Sequence, residues 1–285
     1  MGTPKYKVSR IKTIDDAVIE YVHIKGDGTP IILIPGAGDG LSMVGKFPNP
    51  YTLARMFKGY AIKHNIIIMS RREPIPKGYT VRDHARDYIW AMDELGIDKA
   101  HIETNSAGGP IGQWIAIDAP DRVRSLVLGA SMAHTDRHLN VILRQWIEWS
   151  KDGEWYKLNL DSTIRTYTPR YYRKYRWLFP LLRLLPKPNN PKRVVRIFEG
   201  LLDFDNKPYL NKITCPTLVI GGDADEITSL KLQTEMARLI PDSKQIIIPG
   251  VGHGASQEAN REHEEKVLLF YENVDKSSKR ETLVK

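Results

Sequence analysis

The sequence predicts an α/β protein built on a doubly wound sheet, and three observations carry that reading. Short continuous apolar runs, among them Pro30-Ile-Ile-Leu-Ile34 and Asn65-Ile-Ile-Ile-Met69, have the length and β-branched content of strands buried on both faces. Segments with helical spacing of apolar residues, about ten to fifteen residues long, separate those runs. Several runs end in turns of Gly, Asp and Ser, where loops leave a parallel sheet. A chain of 285 residues with 41% hydrophobic content can bury one large core and still carry an insertion.

Residues 6–11 and 17–25 read as two half-buried strands joined by the turn Thr13-Ile-Asp-Asp16, and Asp27-Gly28 redirects the chain into the apolar strand before Pro35. That strand ends in Gly36-Ala-Gly38-Asp-Gly40. A dinucleotide fingerprint would need glycine where Leu41 stands, and a phosphate loop would need an absent Gly-Lys pair, so phosphate binding is not implied. Residues 49–58 suit a short helix, 65–70 a strand, and 71–76 a loop. Thr80-Val-Arg-Asp83 has the spacing of a capping box and opens a helix to Leu95, which Gly96 ends. Ile102 lies in the next strand and 124–128 in another.

After Ala130 the pattern changes. Residues 131–210 carry no strand signal, hold four of the six Trp residues and contain the prolines of Pro186-Lys-Pro188 and Pro191. Alternation resumes at Thr214-Cys-Pro-Thr-Leu-Val-Ile220, so the middle is an insertion, not a tandem domain. A helix over 227–239, a strand ending near Ile248, a final amphipathic helix over 256–272 and a polar, disordered tail over 275–285 complete the prediction. The expected division is a core of 1–130 and 211–274 with an insertion of 131–210.

Chemistry concentrates at the ends of three predicted strands. In Thr104-Asn-Ser106-Ala-Gly108-Gly109 a serine sits between a strand and a helix, with small neighbours that permit a strained turn. Read alone, such a serine is more often a helix N-cap than a nucleophile. A serine nucleophile also needs a base and a group to orient that base. Pro216-Thr-Leu-Val-Ile-Gly-Gly-Asp-Ala-Asp225 ends in acids, and Lys244-Gln-Ile-Ile-Ile-Pro-Gly-Val-Gly-His253 ends in a glycine-flanked histidine. The alternatives for these two are a capping carboxylate and a surface histidine.

This set, in this chain order, resembles the nucleophile elbow, acid and histidine of the α/β-hydrolase superfamily, with Thr104 where the first elbow glycine usually stands. The resemblance implies a mostly parallel eight-stranded sheet flanked by helices, with residues 131–210 as a helical cap over the active site. It implies Ser106, Asp225 and His253 as catalytic residues, with Asp225 preferred to Asp223 because Gly222-x-x-Asp225 matches the family's turn. The backbone N–H groups of Ala37 and Ala107 would form the oxyanion hole, Pro35-Gly36 standing for the usual His-Gly pair. Ser70 replaces a common Asp. The implied activity is hydrolysis of a carboxylic ester through an acyl-enzyme. A carbon–carbon bond hydrolase, a lactonase, a peptidase, a hydroxynitrile lyase or a slow-turnover ligand receptor would share the same residues. No cofactor is implied.

Other constellations were weighed. His134 and His138 have i,i+4 spacing but no third ligand, Asp223-Ala-Asp225 lacks the later positions of a calcium loop, and His263-Glu-Glu lacks a second histidine, so no metal site is expected. The lone Cys215 excludes an internal disulfide and suits packing. Net charge is +8, and residues 131–210 hold fifteen Lys or Arg against eight Asp or Glu, so the excess belongs to the insertion. In Tyr167-Thr-Pro-Arg-Tyr-Tyr-Arg-Lys-Tyr-Arg-Trp177, aromatic and basic residues interleave. Packed helix with snorkelling cations is the plainer reading, and nucleic-acid binding is not expected. Cations presented to an anionic substrate or an acidic, lipid-bearing surface form a third reading. The longest apolar stretch, 177–185, is broken by Pro180 and Arg183, and no leader pattern opens the chain, so a cytoplasmic protein with a small acyl or ester substrate is expected.

Overall fold

A computed structural model describes residues 2–284, with side chains described through residue 277. Its described strands are β1 (Tyr6–Lys12), β2 (Val18–Ile24), β3 (Thr29–Ile34), β4 (His64–Met69), β5 (Ala100–Asn105), β6 (Val123–Gly129), β7 (Thr217–Gly222) and β8 (Ser243–Ile248). They form one eight-stranded sheet in the order β1-β2-β4-β3-β5-β6-β7-β8. The β1–β2 and β2–β4 pairs are antiparallel and the rest parallel, which is the expected mostly parallel sheet. The helices are α1 (Asn49–Met56), α2 (Val81–Glu94), α3 (Gly109–Asp118), α4 (Arg137–Asp152), α5 (Trp155–Thr166), α6 (Pro169–Tyr172), α7 (Pro191–Glu199), α8 (Leu230–Leu239), α9 (Ala255–Glu258) and α10 (Asn260–Val284).

The apolar strands are covered on both faces, as their lack of alternation requires. From β3, Ile32 and Ile34 pack into a core shared with Ala85 of α2 and Ile111 of α3, while Ile31 and Leu33 face a second core with Ala54 of α1 and Phe270 of α10. The capping box that opens α2 is formed: the Thr80 hydroxyl accepts from Asp83 N–H, and the Asp83 carboxylate accepts from Thr80 N–H.

Helices α4 to α7 lie between β6 and β7. Asp136 caps α4 by accepting from Leu139 N–H, and Gly153 closes it at φ 73°, a left-handed position suited to glycine. Trp146 of α4 meets Phe198 of α7 with ring centroids 5.4 Å apart, joining the two ends of the insertion.

Three expected boundaries move for physical reasons. The helix expected over 227–239 starts at Leu230, because the Asp225 carboxylate takes the amides of Ile227 and Thr228 and Ser229 supplies the cap. The single helix expected over 256–272 breaks at Ala259 into α9 and α10. Over the tail expected for 275–285, α10 continues through Val284, Lys285 lies outside the described residues, and the Asp275 carboxylate is engaged by Thr29 Oγ1 at 3.2 Å and Arg124 Nη1 at 3.5 Å. A polar sequence carries no sign of such distant partners.

Candidate active site

Three loops at the C-terminal ends of β5, β7 and β8 meet in one place, which is where a parallel sheet presents its ligand crevice. Ser106 follows β5 with φ at 50°, a left-handed conformation rare for a residue with Cβ. Close packing holds it there. A Cβ on Gly36 would come within 3.3 Å of Ser106 Cβ, and one on Gly108 would lie 2.4 Å from the Ile34 carbonyl oxygen. Small residues around the elbow are therefore a steric requirement.

Ser106 Oγ lies 2.8 Å from His253 Nε2. On the other side of the ring, Nδ1 lies 2.9 Å from Asp225 Oδ2 and 3.1 Å from Oδ1. An ionised carboxylate only accepts, so Nδ1 carries the proton and Nε2 is left to accept from the serine hydroxyl. Asp225 is held in turn by Ile227 N–H and Thr228 N–H, each at 2.8 Å, and by the Thr228 hydroxyl, also at 2.8 Å. The acid and the imidazole are both buried. Asp223, the other acid of this turn, accepts from Gly250 N–H at 2.7 Å and braces the loop that carries His253. Ser106, Asp225 and His253 are thus brought together, and Asp223 points to another task.

Ala37 opens a 3-10 turn, Ala37–Gly40, and Ala107 lies in the turn Ser106–Gly108. Amides in the first turn of a helix have no intrahelical acceptor, so both N–H groups are available to a ligand. Each of these peptide groups is gripped from behind by its carbonyl. Arg71 Nη1 donates to the Gly36 carbonyl at 3.1 Å, fixing the peptide that bears Ala37 N–H. The Ser131 hydroxyl donates to the Ser106 carbonyl at 2.9 Å, fixing the peptide that bears Ala107 N–H. Arg71 also donates to Pro35 and Ala107 carbonyls, and its backbone N–H donates to Asp39 at 2.9 Å. From the insertion, Arg193 of α7 reaches the same carboxylate at 2.6 Å and the Arg71 carbonyl at 3.0 Å.

Sequence reasoning did not reach Arg71, Ser131, Asp39, Arg193 or Thr228. Thr228 follows the acid by three residues, a spacing that could have flagged it. An arginine after a strand reads as surface charge, and only the packed fold shows Arg71 and Arg193 buried. Ser70, where the family often has Asp, accepts from Val44 N–H at 2.9 Å and supports the loop beside the site.

The cleft over Ser106 and His253 has a volume of about 440 Å³, with apolar walls from Leu41, Leu53 and the insertion residues Trp146, Leu158 and Phe198. Two clusters lie outside it. Glu103, in the strand that leads to the elbow, is buried, with Tyr271 Oη donating to it at 2.8 Å, and burial pushes its carboxyl up to about 7. His64, His101 and Asp275 bring potential ligand atoms within 4.8 Å of one another at the opposite end of the sheet, where His101 Nδ1 lies 2.7 Å from Ser125 Oγ. Of the two histidines spaced i,i+4, His138 Nε2 lies 3.0 Å from the Glu226 carbonyl oxygen, and the His134 backbone pairs with that of Asp205 in an isolated β-bridge.

The family model for the alpha/beta hydrolase fold matches residues 29–259, which include every element just described around Ser106. The chain belongs to the α/β-hydrolase fold family. Among the relatives of this α/β-hydrolase, RutD of Azorhizobium caulinodans, whose name carries a provisional assignment as a carbamate hydrolase, is 28% identical over 274 residues, spanning 90% of this chain and 96% of the relative. A hydrolase from Pseudomonas aeruginosa PA01 superposes with a TM-score of 0.79 at 20% identity, covering 93% of this chain and 98% of that one. A thermophilic esterase from Thermogutta terrifontis gives 0.78 at 20% identity, with 94% and 99% covered. At these identities the two structures establish the fold. Among the described residues no helix is long and apolar enough to cross a membrane.

Proposed function

We propose that this α/β-hydrolase is a serine hydrolase that cleaves a carboxylic ester through an acyl-enzyme. The observation that carries the reading is the continuous hydrogen-bonded chain from Ser106 Oγ through His253 to Asp225, opening on an apolar cleft. In the first half-reaction His253 Nε2 takes the Ser106 proton as Oγ attacks the ester carbonyl carbon. The carbonyl oxygen becomes an oxyanion and receives hydrogen bonds from Ala37 N–H and Ala107 N–H. The proton on Nε2 then passes to the departing alkoxide oxygen as the carbon–oxygen bond breaks. Water, deprotonated by His253, attacks the acyl-enzyme, and Ser106 leaves with its proton restored. Asp225 offsets the imidazolium charge in both halves and keeps the ring oriented.

The test is burst-phase hydrolysis of p-nitrophenyl acetate and butyrate by the wild type and Ser106→Ala. The variant is expected to fall toward background, by up to about a million-fold in rate. Undiminished turnover in Ser106→Ala would refute a serine nucleophile. The name of the Azorhizobium relative favours a second reading, in which the acyl group is a carbamate and the same residues cleave it. A carbamate turned over in preference to matched esters, with the same dependence on Ser106, would select that reading.

A further inference from the structure

The insertion contains a surface that neither the fold nor the catalytic chain needs. Between residues 162 and 198 there are ten Lys or Arg and no Asp or Glu. Six of those cations fall within 169–187, and among the described residues none of the six has a carboxylate within ion-pair distance. The same short segment exposes large apolar side chains: Trp177 is 71% exposed, Leu184 77%, Leu181 50% and Leu185 50%. Within Tyr167–Trp177 the rings of Tyr167, Tyr171 and Tyr172 are half-buried, while Trp177 and the following Leu181, Leu184 and Leu185 face outward.

The segment is anchored from below, so this exposure is built into the fold. The stretch Arg176–Leu184 is a 3-10 helix, in which residues three apart lie on one side. Phe179 sits 5.9 Å from the Tyr172 ring and Arg183 lies over the Tyr156 ring at 4.6 Å, while Leu181 and Leu184, three residues apart, share one exposed side. Cations flank this apolar tip on both sides: Arg170, Arg173, Lys174 and Arg176 before it and Lys187 after it. A water–lipid boundary has that profile, with apolar side chains at the acyl level, Trp and Tyr at the interface, and cations at the headgroups.

The surface also adjoins the mouth of the cleft. The Thr166 carbonyl accepts from Gly254 N–H at 2.7 Å, next to His253 in sequence. From there the Tyr167 and Tyr171 rings stack at 5.0 Å, and Tyr175 meets Tyr171 tilted at 5.4 Å on the way to the exposed tip. The geometry points to residues 169–187 as a docking surface for an anionic phospholipid bilayer, inserted shallowly by Trp177, Leu181 and Leu184 and held by the flanking Lys and Arg. A nucleic acid would use the cations and rings but has no contact for three exposed leucines. A docked molecule turns its cleft toward the bilayer, and the docking holds whether or not the substrate is an ester.

The test is co-sedimentation of the full chain with phosphatidylcholine vesicles, with and without about one-third phosphatidylglycerol, at low and physiological salt. Binding is expected only with phosphatidylglycerol and to weaken with salt, each Lys or Arg near the leaflet contributing about fivefold. Two surface variants, Leu181→Asp/Leu184→Asp and Arg173→Glu/Lys174→Glu/Arg176→Glu, are each expected to lose binding at least about tenfold. Melting curves by circular dichroism, expected to match the wild type, serve as the control for folding. No binding to anionic vesicles overturns the proposal. So does binding that survives the leucine variant, which would mean adsorption to any polyanion, as would equal affinity for a single-stranded oligonucleotide.

Discussion

At the scale of single residues, the proposed oxyanion hole depends on side chains placed behind its two peptide groups. Arg71 and Ser131 hold the two peptide groups that bear Ala37 N–H and Ala107 N–H, so their loss tilts these donors without removing them. Ser131→Ala and Arg71→Lys are expected to lower kcat by about tenfold, less than the 100- to 1,000-fold for losing a donor outright. KM for a p-nitrophenyl ester should stay near the wild-type value, because a developing oxyanion needs the donors more than a bound carbonyl does. A matching rise in KM would mark a defect in ground-state binding. Glu103 allows a pH prediction. In the unfolded chain its carboxyl ionises near 4.5, while burial raises it to about 7 in the fold. Its contribution is therefore intact below 4.5, falls as pH rises through that interval, and is constant above 7, a loss of up to about 3 kcal/mol. Glu103→Gln keeps the hydrogen-bonding shape with Tyr60 and Tyr271 and removes the titration. The stability difference between variant and wild type in urea melts should therefore rise across this range and then level off.

At the scale of elements, the elbow departs from its family pattern and the next helix compensates. Thr104 stands where a glycine is usual, and its hydroxyl donates to the Val127 carbonyl at 2.8 Å. The remaining methyl is accommodated because α3 has Gly112 opposite, where a Cβ would lie 2.5 Å from Thr104 Cγ2. Gly112→Ala should thus destabilise by about 1–3 kcal/mol through overpacking, despite the better helix propensity of alanine. In a Thr104→Ser background, which keeps the hydroxyl and removes the methyl, much of that cost should return, giving a coupling of about 1 kcal/mol in a double-mutant cycle. Additive effects would place the clash elsewhere. The capping box of α2 was legible directly, since its two partners are three residues apart. The extension of α10 was not, because the groups that hold Asp275 come from β3 and β6.

At the scale of the whole molecule, the insertion and the core share one buried ion network. Arg193 of α7 reaches Asp39 in the turn after β3 and the backbone of the segment after β4. Removing one partner of such a network leaves charge and carbonyls unpaired in a low-dielectric setting, so Arg193→Met is expected to cost about 3 kcal/mol in urea unfolding. The same variant should slow ester hydrolysis, because Asp39 and Arg71 together set the turn that carries Ala37 N–H. Unchanged stability and rate would show that the insertion is held without this contact.

The amino-acid sequence alone determined the α/β class and singled out a serine, an acid and a histidine as candidates, because each is written in local order: strand-length apolar runs, turn residues at their ends, and a fixed succession along the chain. Tertiary structure decided what lies between distant segments. It set Asp225 rather than Asp223 against His253, buried Arg71 and Arg193, paired Gly112 with Thr104, and left Leu181, Leu184 and Leu185 exposed. Those outcomes depend on which side chain faces which neighbour across tens of residues, and a one-dimensional pattern does not carry that geometry.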